Sequence, residues 1–390
     1  MIHSITIRNF QSIEKEMRLD FTVGQTAPQK ESYKDSPSGI RISLVHAVIG
    51  GNASGKTTAL KALSFINWFM HDSFRSNEDE LPVTEFAGHD KKDDTTGFDV
   101  VFEMKGVIHD YSLKVNRQHL ISEEMRIRSL TSKRVTSKRI FVRNWNQKSK
   151  SYDVEATALG ISDLAYWGRR QLGNTSIISV AARFGSDYAI DLMDYWLKFQ
   201  SNVTIDDRYM PYEYQAYRAL RHYQTDEKTE KRAVNDIRQY DLGIDGFAKK
   251  PGYIRHTFGD KTFDLEVDQE SSGTQQFLVL KEKIDSVLKD GGIAVIDELN
   301  AFLHPLMSEA IIKKFMDKKI NKGGGQLIFS THDLRVFELL DKYQISLAEK
   351  DNLGMTRLRR FDSQPRIRPT DNYIKKYLAG EYGGINKFSF

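Results

Sequence analysis

The stretch Gly50-Gly51-Asn52-Ala53-Ser54-Gly55-Lys56-Thr57 decides the fold of this chain. It fits the P-loop pattern of glycine, any four residues, glycine, lysine, and then serine or threonine. The apolar run over residues 42–49 predicts a buried strand before it, and residues 58–63 predict a helix after it. Strand, glycine-rich turn and helix form the context that this motif requires. The alternative, a glycine-rich turn before an ordinary helix, does not use that lysine and threonine.

The P-loop pattern predicts a phosphate-binding site for physical reasons. Glycines let backbone N–H groups close around a phosphate chain, and the following helix adds the positive end of its dipole. Lys56 is placed to reach the β- and γ-phosphates of a nucleotide, and the Thr57 hydroxyl to bind Mg²⁺. We therefore expect a nucleotide and Mg²⁺ as cofactors, and the family resemblance given below implies that the nucleotide is ATP. The predicted nucleotide-binding residues are Gly50, Asn52, Ser54, Gly55, Lys56, Thr57 and Thr58.

Two later segments end in residues that suit phosphate chemistry. The apolar run 293–296 predicts a parallel strand ended by Asp297, a metal-binding acid, and Glu298, a base for an attacking water. Residues 326–331 predict another strand, and His332 at its end would contact the γ-phosphate or the water. Lys56, Glu298 and His332 are thus the predicted catalytic residues. The alternatives are a core strand ending in solvated acids and a histidine with a purely structural role.

A polar turn, Glu270 to Gln276, opens an apolar helix and by itself indicates only a helix N-cap. In the order P-loop, Ser-Gly-x-Gln turn, Asp-Glu strand and histidine, the sequence resembles ABC-type ATPase heads. More narrowly, it is similar to the compact bacterial ATP-binding OLD/ABC-like ATPases, relatives of the SMC, RecF and overcoming-lysogenization-defect heads. Segments 5–13, 242–244, 303–305 and 377–384 fit the same family.

The resemblance implies an α/β fold: an ABC-type P-loop ATPase head with an antiparallel β layer and an inserted helical lid. We expect the head to comprise residues 1–125 and 235–390, and residues 126–234 to form an inserted basic segment and the lid. Strands are predicted at 98–104 and 111–115, and helices at 188–197 and 214–223. No sustained heptads occur, so the long coiled coil of SMC proteins is not expected.

The resemblance also implies an ATP-dependent homodimer of heads. Each nucleotide would lie between the P-loop of one subunit and the polar turn of the other. The residues expected to contact nucleotide across the dimer are Ser272, Gly273, Thr274, Gln275 and Asn300. Asn300 stands where the family usually carries aspartate, so a charge is lost at this contact. The glutamine of the family's Q-loop has no clear position in this sequence.

For function, the resemblance implies an ATP-hydrolysing head that regulates a partner, as the sensor of a bacterial anti-phage system with a separately encoded effector. The segment after His332 is too short for the nuclease domain that OLD proteins append, so we expect any cutting activity to come from another chain. The alternative is a DNA repair or DNA-clamping ATPase of the RecF/SMC kind. A transporter subunit is disfavoured by the Ser-Ser-Gly-Thr-Gln turn and the inserted lid.

A run of positive charge marks residues 126–150, which contain nine lysines and arginines and no acidic residue. Interleaved aromatic residues and the cations favour a strip that contacts nucleic acid. Its candidate contacts are Lys133, Arg134, Lys138, Arg139 and Arg143. The alternatives are a solvated face of a β-ribbon and a surface for a protein partner.

The composition limits the remaining possibilities. The 390 residues include no cysteine, which excludes disulfides, zinc–thiolate sites and a thiol nucleophile. Charged residues make up 28% and hydrophobic residues 39%, as in soluble proteins. No apolar run approaches the roughly 20 residues of a membrane helix, and no signal peptide precedes the first strand. We therefore expect a cytoplasmic protein without a membrane partner; the net charge of +4 is not diagnostic.

Overall fold

The computed structural model describes most of the chain. The described residues are 1–25, 27–75, 80–88, 94–130, 135–161, 173–205, 212–225, 227–238, 240, 243–301, 303–364, 367 and 371–384. In chain order the strands are β1 (Ile2–Arg8), β2 (Met17–Asp20), β3 (Tyr33–Asp35), β4 (Arg41–Ser43), β5 (Val45–Gly50), β6 (Thr96–Met104), β7 (Val107–Val115), β8 (Leu120–Leu130), β9 (Val135–Asn146), β10 (Ser151–Glu155), β11 (Phe199–Ser201), β12 (Gly246–Phe247), β13 (Tyr253–Phe258), β14 (Lys261–Glu266), β15 (Ile293–Ile296), β16 (Gln326–Thr331), β17 (Ile345–Lys350) and β18 (Thr356–Arg360). The α-helices are α1 (Lys56–His71), α2 (Ile177–Arg183), α3 (Asp187–Leu197), α4 (Tyr212–Tyr223), α5 (Glu227–Arg238), α6 (Ser272–Asp290), α7 (Pro305–Met316), α8 (Val336–Leu339) and α9 (Tyr373–Leu378).

A mostly parallel sheet forms the centre of the molecule. Its strand order is β11-β15-β16-β5-β17-β18, and only β18 runs antiparallel to its neighbour. Strands β5, β15 and β16 are buried along their whole length, which explains their continuous apolar sequences. Because these three strands are parallel neighbours, their carboxyl ends meet at one edge of the sheet. The P-loop, the two acids and His332 therefore follow adjacent strands.

An antiparallel sheet with the order β10-β9-β8-β7-β6-β1-β2 forms a second layer. Helix α1 lies between the sheets, where Phe65 and Phe69 belong to the same core as Phe98 of β6 and Ile328 of β16. The opposite face of the parallel sheet packs on α6 and α7, together with α4 and α5. This architecture confirms the predicted α/β fold with an antiparallel β layer.

The predicted elements of the middle of the chain are present. The hairpin predicted from residues 98–115 is β6–β7, and the two predicted helices are α3 and α4. Strand β8 runs across the predicted boundary at residue 126 and stays in one sheet with β1. Strand β11, inside the predicted insertion, joins the parallel sheet beside β15. The division into head and insertion stays a prediction.

A small antiparallel sheet leads into α6. Strands β12, β13 and β14 pair in sequence, and Ser271 then caps α6 by accepting a hydrogen bond from the Thr274 N–H at 3.1 Å. Serine is among the best N-cap residues, which explains why the polar turn starts a helix. Among the described residues, no helix is both long enough and apolar enough to span a bilayer.

Candidate active site

The P-loop connects the end of β5 to the start of α1. Gly55 has a φ of +97°, a left-handed conformation that favours glycine. A Cβ at this position would also collide with the side chain of Thr356, which packs against the loop. The Thr356 hydroxyl donates to the Ser54 carbonyl at 3.0 Å. Gly55 is therefore required for two reasons: its backbone conformation favours glycine, and Thr356 leaves no space for a side chain.

Lys56 points along the inside of this loop. Its Nζ donates to the carbonyl oxygens of Gly50 and Gly51 at 3.2 and 3.1 Å. It also lies 3.0 Å from His332 Nε2 and 3.8 Å from Glu298 Oε1. Burial lowers the pKa of the Lys56 ammonium, and the nearby carboxylates oppose that shift. A buried ammonium held mainly by neutral acceptors is well suited to bind an anionic phosphate.

Thr57 and Asp297 lie together and provide oxygen ligands. The Thr57 hydroxyl donates to Asp297 Oδ2 at 2.7 Å. Among the described residues, no cluster of three or more histidine, cysteine or acidic side chains could hold a metal. Mg²⁺ needs no such cluster, because it commonly takes one or two protein oxygens and completes its shell with phosphates and water. This pair therefore fits the predicted Mg²⁺ site.

Two residues that the sequence did not reveal hold Asp297 in place. Asn202 follows β11, and its side-chain amide bonds both the N–H of Asp297, at 2.7 Å, and its carbonyl, at 2.9 Å. The buried Ser330 hydroxyl donates to Asp297 Oδ1 and accepts the Glu298 N–H at 2.8 Å. Asn202 directly follows β11 and Ser330 lies on β16, the two strands on either side of β15. Only the order of strands in the sheet could therefore identify these two residues.

Glu298 and His332 form the other half of the site. His332 Nε2 lies 3.0 Å from Glu298 Oε1, and Glu298 has a φ of +49°, unusual for a residue with a side chain. A single ring nitrogen cannot both accept from Lys56 and donate to Glu298, so the proton on His332 decides which contact forms. Asn300 Oδ1 accepts the Thr331 hydroxyl at 2.6 Å and thereby fixes the end of β16.

These side chains border one cavity of about 390 Å³. The predicted residues along it are Asn52, Ser54, Gly55, Lys56, Thr57, Thr58, Glu298 and His332, and Gln11, Ser12, Ala53 and Lys350 complete the lining. Ser12 contacts the hydroxyls of Thr58, at 3.2 Å, and Thr356, at 2.8 Å. The turn after β1 is thus part of the site. The structure brings together the predicted nucleotide-binding, metal-binding and catalytic residues.

A protein family matches the part of the chain that contains the P-loop, the two acids and His332. Residues 45–338, three quarters of the chain, match the family described as "AAA domain, putative AbiEii toxin, Type IV TA system". The chain belongs to this AAA-domain family. The match confirms the ABC- and SMC-like P-loop ATPase relationship that the motifs predict. Membership implies the use of a nucleotide, usually with Mg²⁺.

Solved structures of SMC heads are similar to this AAA-domain protein. One, described as "SMC head domain from Thermotoga maritima", is 17% identical; the alignment covers 92% of this chain and 98% of that chain, with a TM-score of 0.44. Another, described as "Crystal structure of the SmcHead bound to the C-winged helix domain of ScpA", is 13% identical, with coverage of 92% and 96% and a TM-score of 0.42. No curated protein matches the chain.

In this AAA-domain chain the polar turn at α6 lies outside the P-loop cavity. Ser272 is exposed at the first position of the helix. Thr274 and Gln275 are buried, and Gln275 Nε2 donates to the carbonyls of Asp268 and Glu270 at 3.2 and 3.1 Å. Gln275 therefore braces the turn within its own subunit, and the contact of Thr274 and Gln275 with a nucleotide across a dimer stays a prediction. Ser272 and Gly273 remain available for such a contact.

Asn300 is also held within its own subunit. Its side-chain oxygen accepts from the Thr331 hydroxyl and, at 3.4 Å, from the His332 N–H. This places Asn300 as a link between the segment after β15 and the end of β16 of the same subunit. The side-chain oxygen is therefore engaged within the chain, and the contact of Asn300 across a dimer stays a prediction.

Two arginines of the basic strip, Arg139 and Arg143, pair with acids from neighbouring strands. Arg139 pairs with Glu124 at 3.0 Å and with Glu155 at 3.4 Å. Arg143 is fully buried, 3.5 Å from the buried Glu123, so its predicted contact with nucleic acid is wrong in this structure. Lys138 is exposed. Two further predicted contacts, Lys133 and Arg134, lie outside the described residues.

Proposed function

We propose that this chain binds Mg²⁺–ATP at the P-loop and hydrolyses it. The observation that carries the proposal is that residues from three separate segments meet at one site. Lys56, Thr57, Glu298 and His332 border one cavity, and Asp297 accepts a hydrogen bond from the Thr57 hydroxyl at its edge. An isolated P-loop would support nucleotide binding alone. Here Glu298, a candidate base, is paired with His332 beside the P-loop, and this pair supports hydrolysis.

Each residue has a distinct role in the proposed reaction. Lys56 would exchange its loop carbonyls for the β- and γ-phosphates of ATP. Mg²⁺, held by Thr57 and Asp297, would neutralise charge on the same phosphates. Glu298 would accept a proton from the attacking water, and the strained backbone held by Ser330 would fix its direction. His332 would orient the water or the γ-phosphate from the opposite side.

The exposed position of Ser272 supports the proposal of an ATP-gated homodimer. A helix N-terminus attracts phosphate through its free N–H groups and its dipole. Ser272 and Gly273 begin the 19-residue helix α6 and do not border the P-loop cavity of their own subunit. The phosphate would belong to ATP bound at the P-loop of a second copy of the chain. ATP would then contact both subunits, so its binding would stabilise the dimer.

We further propose that this ATPase is the cytoplasmic regulatory subunit of a bacterial anti-phage system whose effector is encoded separately. The order of the motifs, which resembles that of the compact OLD/ABC-like heads, motivates this role. The alternative, a DNA repair or clamping ATPase, depends on an exposed basic strip. The ion pairs of Arg139 and the burial of Arg143 weaken that alternative.

The ATPase proposal is tested with purified wild type, Lys56→Ala and Glu298→Gln. Lys56→Ala should lose ATP binding, whereas Glu298→Gln should bind ATP and lose turnover, because an amide cannot act as a base. Glu338→Gln, on the surface of α8, is the matched control and should behave as wild type. Turnover by Glu298→Gln at the wild-type rate would contradict the assignment of the base.

The regulatory role is tested in cells that express the chain with the protein encoded beside it. Lys56→Ala should abolish protection against phage while both proteins remain at normal levels. Sensitivity to DNA damage without any change in protection against phage would contradict the regulatory proposal and favour DNA repair. This outcome is independent of whether the purified chain hydrolyses ATP.

A further inference from the structure

A second cavity, of about 400 Å³, lies between the end of β11, helix α4 and helix α6. Its lining is Gln200, Ser201, Asn202, Val203, Thr204, Gln215, Arg218, Val279, Glu282 and Lys283. None of these residues borders the P-loop cavity. Concave sites of this size with a few converging polar groups and a shifted pKa are the usual form of a ligand site.

The charges along this cavity are unbalanced. Lys283 is partly buried in the middle of α6, and burial lowers the pKa of its ammonium. The nearby Arg218 guanidinium lowers that pKa further, and the Glu282 carboxylate opposes the shift. Among the described residues, neither Lys283 nor Arg218 has an ion-pair partner, whereas Lys281 on the same helix is paired with Asp236 at 2.9 Å. A partly buried cation loses part of its hydration, and an anion that binds beside it offsets that cost.

We propose that this cavity binds a small phosphate-bearing anion. Arginine and lysine together are the usual ligands of phosphate groups, arginine through its planar fork and lysine as a compact charge. The amide of Gln200 and the hydroxyl of Thr204 add neutral polar groups along the same wall. Glu282 leaves a net positive lining, so the site favours a compact anion over an extended polyanion.

The position of the site connects it to both halves of the proposed ATPase. Asn202 borders the cavity and holds both backbone polar groups of Asp297. Lys283 lies on α6, the helix that begins with Ser272. An anion bound here therefore contacts the elements that position the metal-binding acid and the polar turn. Anion binding at this cavity would therefore regulate the ATPase rather than take part in hydrolysis.

The test measures binding of inorganic pyrophosphate by calorimetry in the full chain carrying Lys56→Ala, which removes phosphate binding at the P-loop. We expect one site per chain with a Kd near or below about 1 mM. Adding Lys283→Gln or Arg218→Gln should weaken binding about tenfold or more. Adding Lys289→Gln, an exposed lysine of the same helix, is the matched control and should leave the Kd unchanged.

Thermal unfolding provides a second readout that does not depend on ATP turnover. Without pyrophosphate, Lys283→Gln should unfold at a higher temperature than its parent, because it removes a partly buried cation that has no ion-pair partner among the described residues. With pyrophosphate, the parent should be stabilised and the Lys283→Gln variant should not. Absence of saturable binding up to about 10 mM would overturn the inference. Unchanged binding in both variants would also overturn it, because the anion would then lie elsewhere.

Discussion

Replacing Ser330 with alanine should slow ATP hydrolysis without preventing ATP binding. The Ser330 hydroxyl donates to Asp297 Oδ1 and accepts the Glu298 N–H at 2.8 Å. Glu298 has a φ of +49°, a conformation that costs of order 1–3 kcal/mol and persists only when its surroundings hold it. Alanine would remove the acceptor that fixes this backbone while preserving the packing of β16.

The expected magnitude follows from the two hydrogen bonds. Leaving a buried N–H without an acceptor costs about 1–3 kcal/mol, and the hydrogen bond to the Asp297 carboxylate adds a similar amount. If about 1.4–2.7 kcal/mol of this lost stabilisation raises the activation free energy, kcat falls about 10- to 100-fold. The P-loop contacts of Lys56 do not involve Ser330, so the affinity for ATP should change by less than about threefold.

The assay compares kcat and the ATP dissociation constant in wild type, Ser330→Ala and Ser346→Ala. Ser346 is the matched control: it is equally buried on β17, and its hydroxyl contacts His46 rather than the acids. Both variants should lose stability, but only Ser330→Ala should lose turnover in the folded protein. An unchanged kcat for Ser330→Ala, or an equal loss in Ser346→Ala, would refute a positioning role for Ser330.

Two further changes test other parts of the structure. Asn202→Ala should raise the Mg²⁺ concentration needed for half-maximal turnover several-fold, because Asp297 loses two backbone hydrogen bonds; an unchanged Mg²⁺ titration would contradict this. Burial lowers the pKa of His46 from 6.5 to about 3. Between these two pH values the unfolded chain carries a proton on His46 that the folded chain does not bind. The free energy of unfolding should therefore decline below pH 6.5, by up to about 1.4 kcal/mol per pH unit from this residue. His46→Gln should flatten that slope in guanidinium unfolding curves, and an unchanged slope would contradict the assignment.

Much of the site could be predicted from the sequence because its key residues lie at the ends of strands with clear local patterns. The P-loop, Asp297, Glu298 and His332 each follow a short apolar run, and parallel strands bring their carboxyl ends to one edge. Asn202 could not be found in this way. It follows a strand of three residues, and its role depends on that strand lying beside β15.

The basic strip shows the limit of composition as a guide to surface charge. The acids that neutralise Arg139 lie outside residues 126–150, at positions 124 and 155, and only the register of the antiparallel sheet brings them close. The burial of Arg143 could have been predicted. Phe141 and Arg143 are two residues apart on β9, so they share a face, and Phe141 is fully buried.

Complementation between two inactive variants tests the central claim, that each ATP site is shared between two subunits. Lys56→Ala removes the P-loop lysine, and Ser272→Glu places a negative charge where the neighbouring subunit's phosphate would bind. An acidic residue is tolerated at a helix N-terminus, so the second variant should fold. Each variant alone should be inactive. Mixed in equal amounts, they should recover about a quarter of wild-type ATPase activity, because half of the dimers then carry one intact site. No recovery in a mixture whose subunits are shown to exchange would contradict the shared site.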